Sequence, residues 1–171
     1  MSEALTPPFL VASLVLCVAG AFKLRAPQAA ADALRTLGLP GGVWLVRGLA
    51  VGEFALGAVC ALFPSRAGAA VLAGAYVMFA GVAAALARRR AGCGCFGEDE
   101  TPVSAGHWIA SLALGAVALG AAASGSHGLS WVLGRPATTA IVLLLGIAGA
   151  LYATVLVYTE VPRAWSVWSG Q

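Results

Sequence analysis

The stretch that decides the fold is AGAAVLAGAYVMFAGVAAALA, residues 67–87, and three arginines follow it directly, Arg88, Arg89 and Arg90. The stretch contains no charged residue and is apolar on every face, whereas a surface helix of a soluble protein has one apolar stripe. About 20 such residues in a helix cross a hydrocarbon core of about 30 Å. The stretch therefore predicts a membrane-spanning helix.

The composition of the whole chain supports this prediction. Of the 171 residues, 60% are hydrophobic and only 10% are charged, against roughly 25% charged in typical soluble domains. The mean hydropathy is +0.90. A soluble domain of this length would need amphipathic helices to keep a polar surface, so the composition excludes an ordinary soluble fold.

Five apolar runs are long enough, or nearly long enough, to span a bilayer. They are Pro8 to Lys23, Val43 to Phe63, Ala67 to Ala87, His107 to Ala123, and Ala137 to Tyr158. The fourth run is the weakest because it is rich in Ala and Gly, so four spans with one re-entrant segment are the alternative. We predict an all-α polytopic membrane bundle of about five transmembrane helices, a four-helix core plus one, in a single domain of residues 1–171.

Two smaller features refine the bundle. The connector from Pro27 to Pro40 has apolar residues at helical spacing and then Gly38 as a stop signal, which predicts a short interfacial helix. Within the second span, Gly48 and Gly52 lie four residues apart. This spacing lets helix backbones approach closely, so we expect close packing there, with a glycine-lined substrate pathway as the alternative.

The distribution of basic residues predicts the orientation. Cytoplasmic loops carry an excess of Lys and Arg. Seven of these residues fall on one side of the predicted spans, namely Lys23, Arg25, Arg35, Arg88, Arg89, Arg90 and Arg163, and only Arg66 and Arg135 fall on the other. The N-terminus is therefore expected outside, and the loop after the third span is expected in the cytoplasm.

That loop carries the motif Cys93-Gly94-Cys95-Phe96-Gly97. A disulfide between Cys93 and Cys95 requires their Cα atoms to lie within roughly 4.4 to 6.8 Å, and Gly94 permits the sharp bend that this needs. A strained or exposed disulfide is relatively oxidising and labile. The motif therefore predicts thiol–disulfide exchange.

Two other interpretations of the motif stay open at this stage. The first is a pair of unreactive loop thiols in a reducing cytoplasm. The second is a metal site, in which Cys93, Cys95 and His107 act as soft ligands for Cu(I) or zinc, although a complete ligand set is not visible in the sequence. The remaining cysteines, Cys17 and Cys60, lie within spans, where single thiols most often behave as small apolar residues.

Glu53 lies about ten residues inside the second span. An ionised carboxylate at that depth costs roughly 2.5 to 3.5 kcal/mol, so it needs a partner or a proton. Arg47 is on a different face of the same helix, whereas Tyr76 and Cys17 lie at a similar depth in other spans. We expect a carboxyl group that handles protons or orients a ligand, or else a protonated Glu bonded between helices.

Several of these features together carry a resemblance. Lys23 closes the first span, Gly38-Leu39-Pro40 ends the connector, Glu53 lies in the second span, and the Cys93 to Gly97 motif follows the third. The chain thereby resembles the MauE branch of the DoxX-like membrane proteins over most of its length. The Cys-Gly-Cys-Phe-Gly string is the most specific element. Similar proteins often carry an Arg early in the next span, where residues 108–112 here contain none.

The resemblance implies a bacterial inner-membrane protein that works with thioredoxin-like partners in disulfide formation or maturation of exported proteins, as in methylamine dehydrogenase biogenesis. We expect Cys93 and Cys95 to be catalytic, one attacking a partner disulfide and the other resolving the mixed disulfide, and we also count Glu53 as catalytic. Lys23 at the cytoplasmic interface is expected to snorkel or to pair with acids and headgroups. The candidate relay or supporting residues are Cys17, Cys60, Lys23 and Tyr76.

Cofactors, partners and competing functions complete the expectations. No cofactor motif is evident, and a quinone near Glu53 and Tyr76 is the alternative electron acceptor. The expected partners are the lipid bilayer and a thioredoxin-like protein, without nucleic acid. A copper- or zinc-binding membrane protein that uses the Cys93 and Cys95 pair, and a non-catalytic assembly factor for a partner oxidoreductase, are the alternative functions.

Overall fold

A computed structural model of the chain describes residues 3–89, 91, 103 and 105–168, the last eight by their backbone alone. The elements are a 3-10 turn (Glu3–Leu5), α1 (Thr6–Arg25), α2 (Pro27–Thr36), α3 (Val43–Leu62), α4 (Arg66–Arg88), α5 (Ala105–Ser124), α6 (Leu129–Leu133) and α7 (Ala137–Trp168). Five of these helices, α1, α3, α4, α5 and α7, are long and apolar enough to cross a membrane. The predicted all-α polytopic membrane bundle is confirmed.

Local sequence signals explain where the helices begin and end. The predicted connector helix forms as α2 and ends in a Schellman motif, in which the Gly38 and Leu39 amides donate to the carbonyls of Arg35 and Leu34 at 2.8 and 3.0 Å. Gly38 has a φ of +78°, a conformation that favours glycine. At the start of α4, the Ser65 hydroxyl accepts a hydrogen bond from the Gly68 amide at 3.0 Å.

The fourth and fifth apolar runs are the two for which the structure adds detail to the sequence prediction. The weak fourth run forms one unbroken apolar helix, Ala105–Ser124, which favours five spans over a re-entrant segment. The sequence predicts that the fifth run ends at Tyr158, before Thr159 and Glu160, but α7 continues to Trp168. The helix therefore extends beyond the hydrophobic stretch from which the end of the fifth span is predicted.

Glycines bring α1 and α3 into close antiparallel contact. A Cβ atom on Gly20 would lie 2.7 Å from the Ala50 carbonyl oxygen, and one on Gly57 would lie 2.5 Å from the Ser13 carbonyl oxygen. Only glycine permits such an approach of two backbones. The expected close packing at Gly48 and Gly52 is wrong, because a Cβ there would meet no atom within 4 Å.

The helices form a core and a periphery. Over their most apolar segments, α1 is 56% buried and α7 only 6%, in keeping with a four-helix core plus one. The short helix α2 lies across one end of this core. Its Ala30 and Ala31 pack on Val46 of α3, and its Ala33 joins a cluster with Leu86 of α4. This end of the bundle, where α1 and α4 end and α3 and α5 begin, is called the α2 end below.

Candidate functional site

An ion pair between α1 and α3 lies beneath the α2 end. The Nζ atom of Lys23 is 2.7 Å from both carboxylate oxygens of Glu53. The two side chains are only 9% and 12% exposed. The prediction that Lys23 snorkels or pairs with acids and headgroups is thus confirmed in its second form. Tyr76 and Cys17 are predicted near Glu53 from their depth, but the described ion-pair partner of the carboxylate is Lys23.

The antiparallel packing of α1 and α3 explains this pairing. Gly20 faces Ala50 and Phe54, so Glu53 lies about one helical turn below Lys23. A helical side chain leans toward the N-terminus of its own helix, and the long Lys stem covers this distance. The Lys23 ammonium also lies 4.8 Å from the centroid of the Phe79 ring, a cation–π contact. The paired charges therefore reduce the cost of each other's burial.

Lys23 borders a small inner cavity of about 30 Å³. Polar residues from four helices converge on it, namely Lys23, Tyr76, Ser111 and Tyr158. Most of the remaining lining is apolar, including Leu16 and Phe79. A cavity of this size has room for about one water molecule.

The hydroxyls around this cavity are already organised. The Ser111 and Tyr158 oxygens lie 2.9 Å apart, within hydrogen-bond distance. The His107 ring meets the Tyr158 ring edge-on, with 5.5 Å between their centroids. Tyr76 donates its hydroxyl proton to the Ala12 carbonyl at 2.6 Å, and it is 2% exposed. Tyr76 thus fixes α4 against α1 beside the ion pair and makes no described hydrogen bond to Glu53.

Glu53 borders a second space, a groove of about 460 Å³ between α3 and α4. Its lining includes Leu16, Trp44, Gly48, Gly52, Glu53 and Phe79, and Glu53 is its only charged residue within the described parts of the chain. Leu16 and Phe79 also line the inner cavity, so they form the wall between the two spaces. The ion pair crosses this wall, with Lys23 at the cavity and Glu53 at the groove.

The two cysteines within the spans are free thiols. The Cys17 thiol donates to the carbonyl of Phe54, the neighbour of Glu53, at 3.5 Å. Cys60 is 1% exposed and packs in the core with Leu72. These positions fit small buried side chains, and a relay role for Cys17 and Cys60 stays a prediction.

Cys93 and Cys95 lie outside the described residues, but both flanks of their segment are described. The Val103 amide donates to the Ala91 carbonyl at 3.1 Å, which brings the two ends of the segment together. Val103 packs with Ala33 of α2 and Leu86 of α4, and the Arg89 guanidinium donates to the Thr36 carbonyl. The segment therefore leaves and rejoins the bundle at the α2 end, on the side of the ion pair.

No group of three or more His, Cys, Asp or Glu side chains that could hold a metal occurs in the part of the chain that the structure describes. His107, which had been considered as a third ligand, is 8% exposed and packs against Tyr158. The described residues therefore add no ligand cluster to the two thiols.

Sequence reasoning missed Phe79, Ser111 and Tyr158. Ser111 is a lone hydroxyl in the fourth span, and Tyr158 is at the predicted end of the fifth, so polarity within spans was the available signal. Their meeting depends on how α5 and α7 pack, because 47 positions separate them in the chain. Phe79 has no polar signal and is recognised only through its position over Lys23.

Comparisons with known proteins complete the description of the site. No curated protein and no solved structure matches the chain. A family model described as methylamine utilisation protein MauE matches residues 3–126, which include Lys23, Glu53 and the Cys93 to Gly97 motif and exclude α7. The match covers well over half of the 171 residues. The chain therefore belongs to the MauE family, as a multi-pass membrane protein.

Proposed function

We propose that this protein is a membrane thiol–disulfide oxidoreductase that exchanges redox equivalents between Cys93 and Cys95 and a thioredoxin-like partner, in the disulfide formation or maturation of exported proteins. One observation carries the proposal. The hydrogen bond between Val103 and Ala91 fixes both ends of the cysteine-bearing segment at the α2 end of the bundle. The two thiols are two and four positions after Ala91 in the chain, and both described flanks of their segment lie at the end of the bundle that covers the ion pair.

The exchange itself needs only the two thiols and a partner disulfide. One cysteine, as its thiolate, attacks a partner sulfur, a new S–S bond forms, and the partner's other sulfur leaves as a thiolate. The second cysteine then attacks the mixed disulfide, which forms the Cys93–Cys95 disulfide and releases the second partner thiol. The pair loses two electrons and the partner gains them, and the reverse steps oxidise a partner.

The proposed membrane is the bacterial inner membrane, with the N-terminus outside and the cysteine segment in the cytoplasm. The distribution of basic residues supports this orientation, because Arg25, Arg35 and Arg89 lie at the α2 end, while Arg66 and Arg135 lie at the opposite end. Reducing equivalents for an exported client would then have to cross the bilayer. Cys17 and Cys60 are the thiols within the described spans that could relay them.

Trapping of the partner tests the proposal. If the second cysteine resolves the mixed disulfide, its replacement by Ser leaves a covalent complex with the thioredoxin-like partner, visible on a non-reducing gel and lost with reductant. We therefore expect one of Cys93→Ser and Cys95→Ser to accumulate this complex, and both to abolish maturation of the client. The double variant Cys93→Ser with Cys95→Ser is the control, because it retains neither thiol of the pair and should not accumulate the complex.

Two results would contradict the proposal. Full client maturation with both Cys93→Ser and Cys95→Ser would indicate a non-catalytic assembly factor. Copper or zinc that remains bound through purification and is lost in the double Ser variant would indicate a metal-binding protein.

A further inference from the structure

We infer that the groove between α3 and α4 binds a lipid-soluble quinone, and that the Lys23–Glu53 pair supplies protons to it. This inference rests on the proposed thiol chemistry and names its electron acceptor. The groove has a volume of about 460 Å³ and a lining that is apolar except for one carboxyl group. Sites for cofactor-sized molecules have this size and this sparse polarity.

The groove is accessible from the bilayer. Its lining residues Trp44, Leu45 and Met78 are 80%, 46% and 54% exposed, and they belong to helices that are apolar enough to span a membrane. Gly48 and Gly52 widen it, since neither would bring a Cβ atom within 4 Å of another group. A ligand dissolved in the lipid phase can therefore enter from the side of the bundle.

The charge at the groove distinguishes a quinone from a lipid tail. An acyl chain offers no group that could interact with Glu53, whereas each quinone oxygen accepts a hydrogen bond and takes up a proton when the ring is reduced. The side wall is formed by Leu16 and the aromatic ring of Phe79, a surface suited to a flat ring. One end of such a ligand would meet the carboxyl group of Glu53, and the rest would meet hydrocarbon.

A quinone fits the stoichiometry of the proposed chemistry. When the dithiol of Cys93 and Cys95 becomes a disulfide, two S–H bonds break, one S–S bond forms, and two electrons and two protons are released. A quinone takes up both electrons and both protons and forms two O–H bonds as the quinol. No other product is needed for the balance.

The ion pair provides a route for protons toward the groove. The Lys23 ammonium lies 2.7 Å from the Glu53 carboxylate, close enough to pass a proton to it, and the acid can then donate to a ligand oxygen in the groove. A water molecule in the inner cavity, which Lys23, Ser111 and Tyr158 all border, would return a proton to the Lys23 amine. The Lys23 ammonium thus carries the proton and the Glu53 carboxylate accepts it before the ligand does.

Filling the groove tests the binding site. The probe is decylubiquinone, its binding to the purified full chain in detergent is measured by quenching of tryptophan fluorescence, and the variant is Gly52→Leu. Because a side chain at Gly52 meets no neighbouring atom, this variant should fold, and we expect it to weaken binding by about tenfold or more. Gly146→Leu, at an equally open position on α7, is the matched control and should bind as the natural chain does.

The proton function is tested with Glu53→Gln, which keeps the shape of the side chain. We expect decylubiquinone binding to persist and the quinone-dependent oxidation of the thiol pair, followed by maleimide gel shift, to be lost. Because an unpaired Lys23 could prevent folding, the double variant Lys23→Met with Glu53→Gln is the second test, and the same result is expected. Oxidation of the pair by diamide should stay unchanged in both variants.

The outcomes separate this inference from the proposed function. If decylubiquinone binds equally well to Gly52→Leu and to the natural chain, the groove is not its site and the inference is wrong, as it would be if the groove held only lipid tails. If quinone-dependent oxidation persists in the Glu53 variants, the proton function is wrong. If the diamide-oxidised pair exchanges with no thioredoxin-like protein, the proposed function fails, whatever the groove binds.

Discussion

At the scale of single residues, Lys23 and Glu53 hold two charges within an apolar bundle. Neither charge is stable there alone, but the short distance and the low exposure make the pair a single neutral unit. Sequence reasoning found that Glu53 needs a partner, because a lone carboxylate in a span is costly. It expected Lys23 to snorkel or to pair with acids and headgroups but did not join it to Glu53, because that choice depends on how α3 is offset along α1 and on the reach of the Lys side chain.

Replacing one residue of the Lys23–Glu53 pair should therefore lower the stability of the chain more than replacing both. We expect Glu53→Leu to destabilise the chain by about 3 to 5 kcal/mol, because Lys23 stays buried and unpaired, and Lys23→Met with Glu53→Leu to recover most of this loss. Denaturant unfolding in detergent, followed by tryptophan fluorescence, measures both. The exposed pair Asp32 and Arg35 is the control, and Asp32→Ala should change stability by less than about 1 kcal/mol. Equal stability of the single and double variants would contradict the buried-pair interpretation.

At the scale of elements, apolar length was enough to predict all five long helices, and turn chemistry was enough to predict α2. The helix contacts were not predictable in this way. The spacing of Gly48 and Gly52 is typical of close packing. Nevertheless, Gly20 and Gly57 make the backbone contacts, whereas Gly48 and Gly52 line the groove. A four-residue spacing places two glycines on one face, but it does not say whether a helix or an open groove lies opposite.

The two kinds of glycine should respond oppositely to an added methyl group. In Gly20→Ala the new Cβ would lie 2.7 Å from the Ala50 carbonyl oxygen, so α1 and α3 must separate, at a cost of about 1 to 3 kcal/mol. In Gly52→Ala the methyl meets no atom, and the higher helix propensity of Ala should stabilise the chain by up to about 1 kcal/mol. Thermal unfolding of the two variants in detergent compares them. Similar shifts in the same direction would show that α1 and α3 do not pack as described.

At the scale of the whole molecule, the α2 end gathers the features that carry the proposed chemistry. The anchors of the cysteine segment, Ala91 and Val103, the covering helix α2 and the buried pair all lie at this end. Sequence order alone could place the cysteine loop after the third span, and charge alone could assign it to a side. The contact of α2 with α3, α4 and Val103 depends on tertiary packing, which no single segment specifies.

The side of the membrane on which the α2 end lies determines which partners can reach the two thiols. The basic residues at that end predict a cytoplasmic location, so an impermeant maleimide should label Cys93 and Cys95 only after spheroplasts are permeabilised, while a permeant maleimide should label them in intact spheroplasts. The control is Ser130→Cys in a background without the other cysteines, because Ser130 is exposed in α6, near the opposite end. It should react with the impermeant reagent in intact spheroplasts.

The reverse pattern would place the thiols outside, where an exported client could reach them directly and no relay through Cys17 or Cys60 would be needed. With the expected pattern, a water-soluble partner in the cytoplasm can meet the thiols, and a lipid-soluble acceptor can meet Glu53 from the bilayer. A labelling result thus decides between direct exchange with the client and exchange through a carrier. The proposed quinone site is compatible with both, because its lining residues Trp44, Leu45 and Met78 are exposed on helices that are apolar enough to span a membrane.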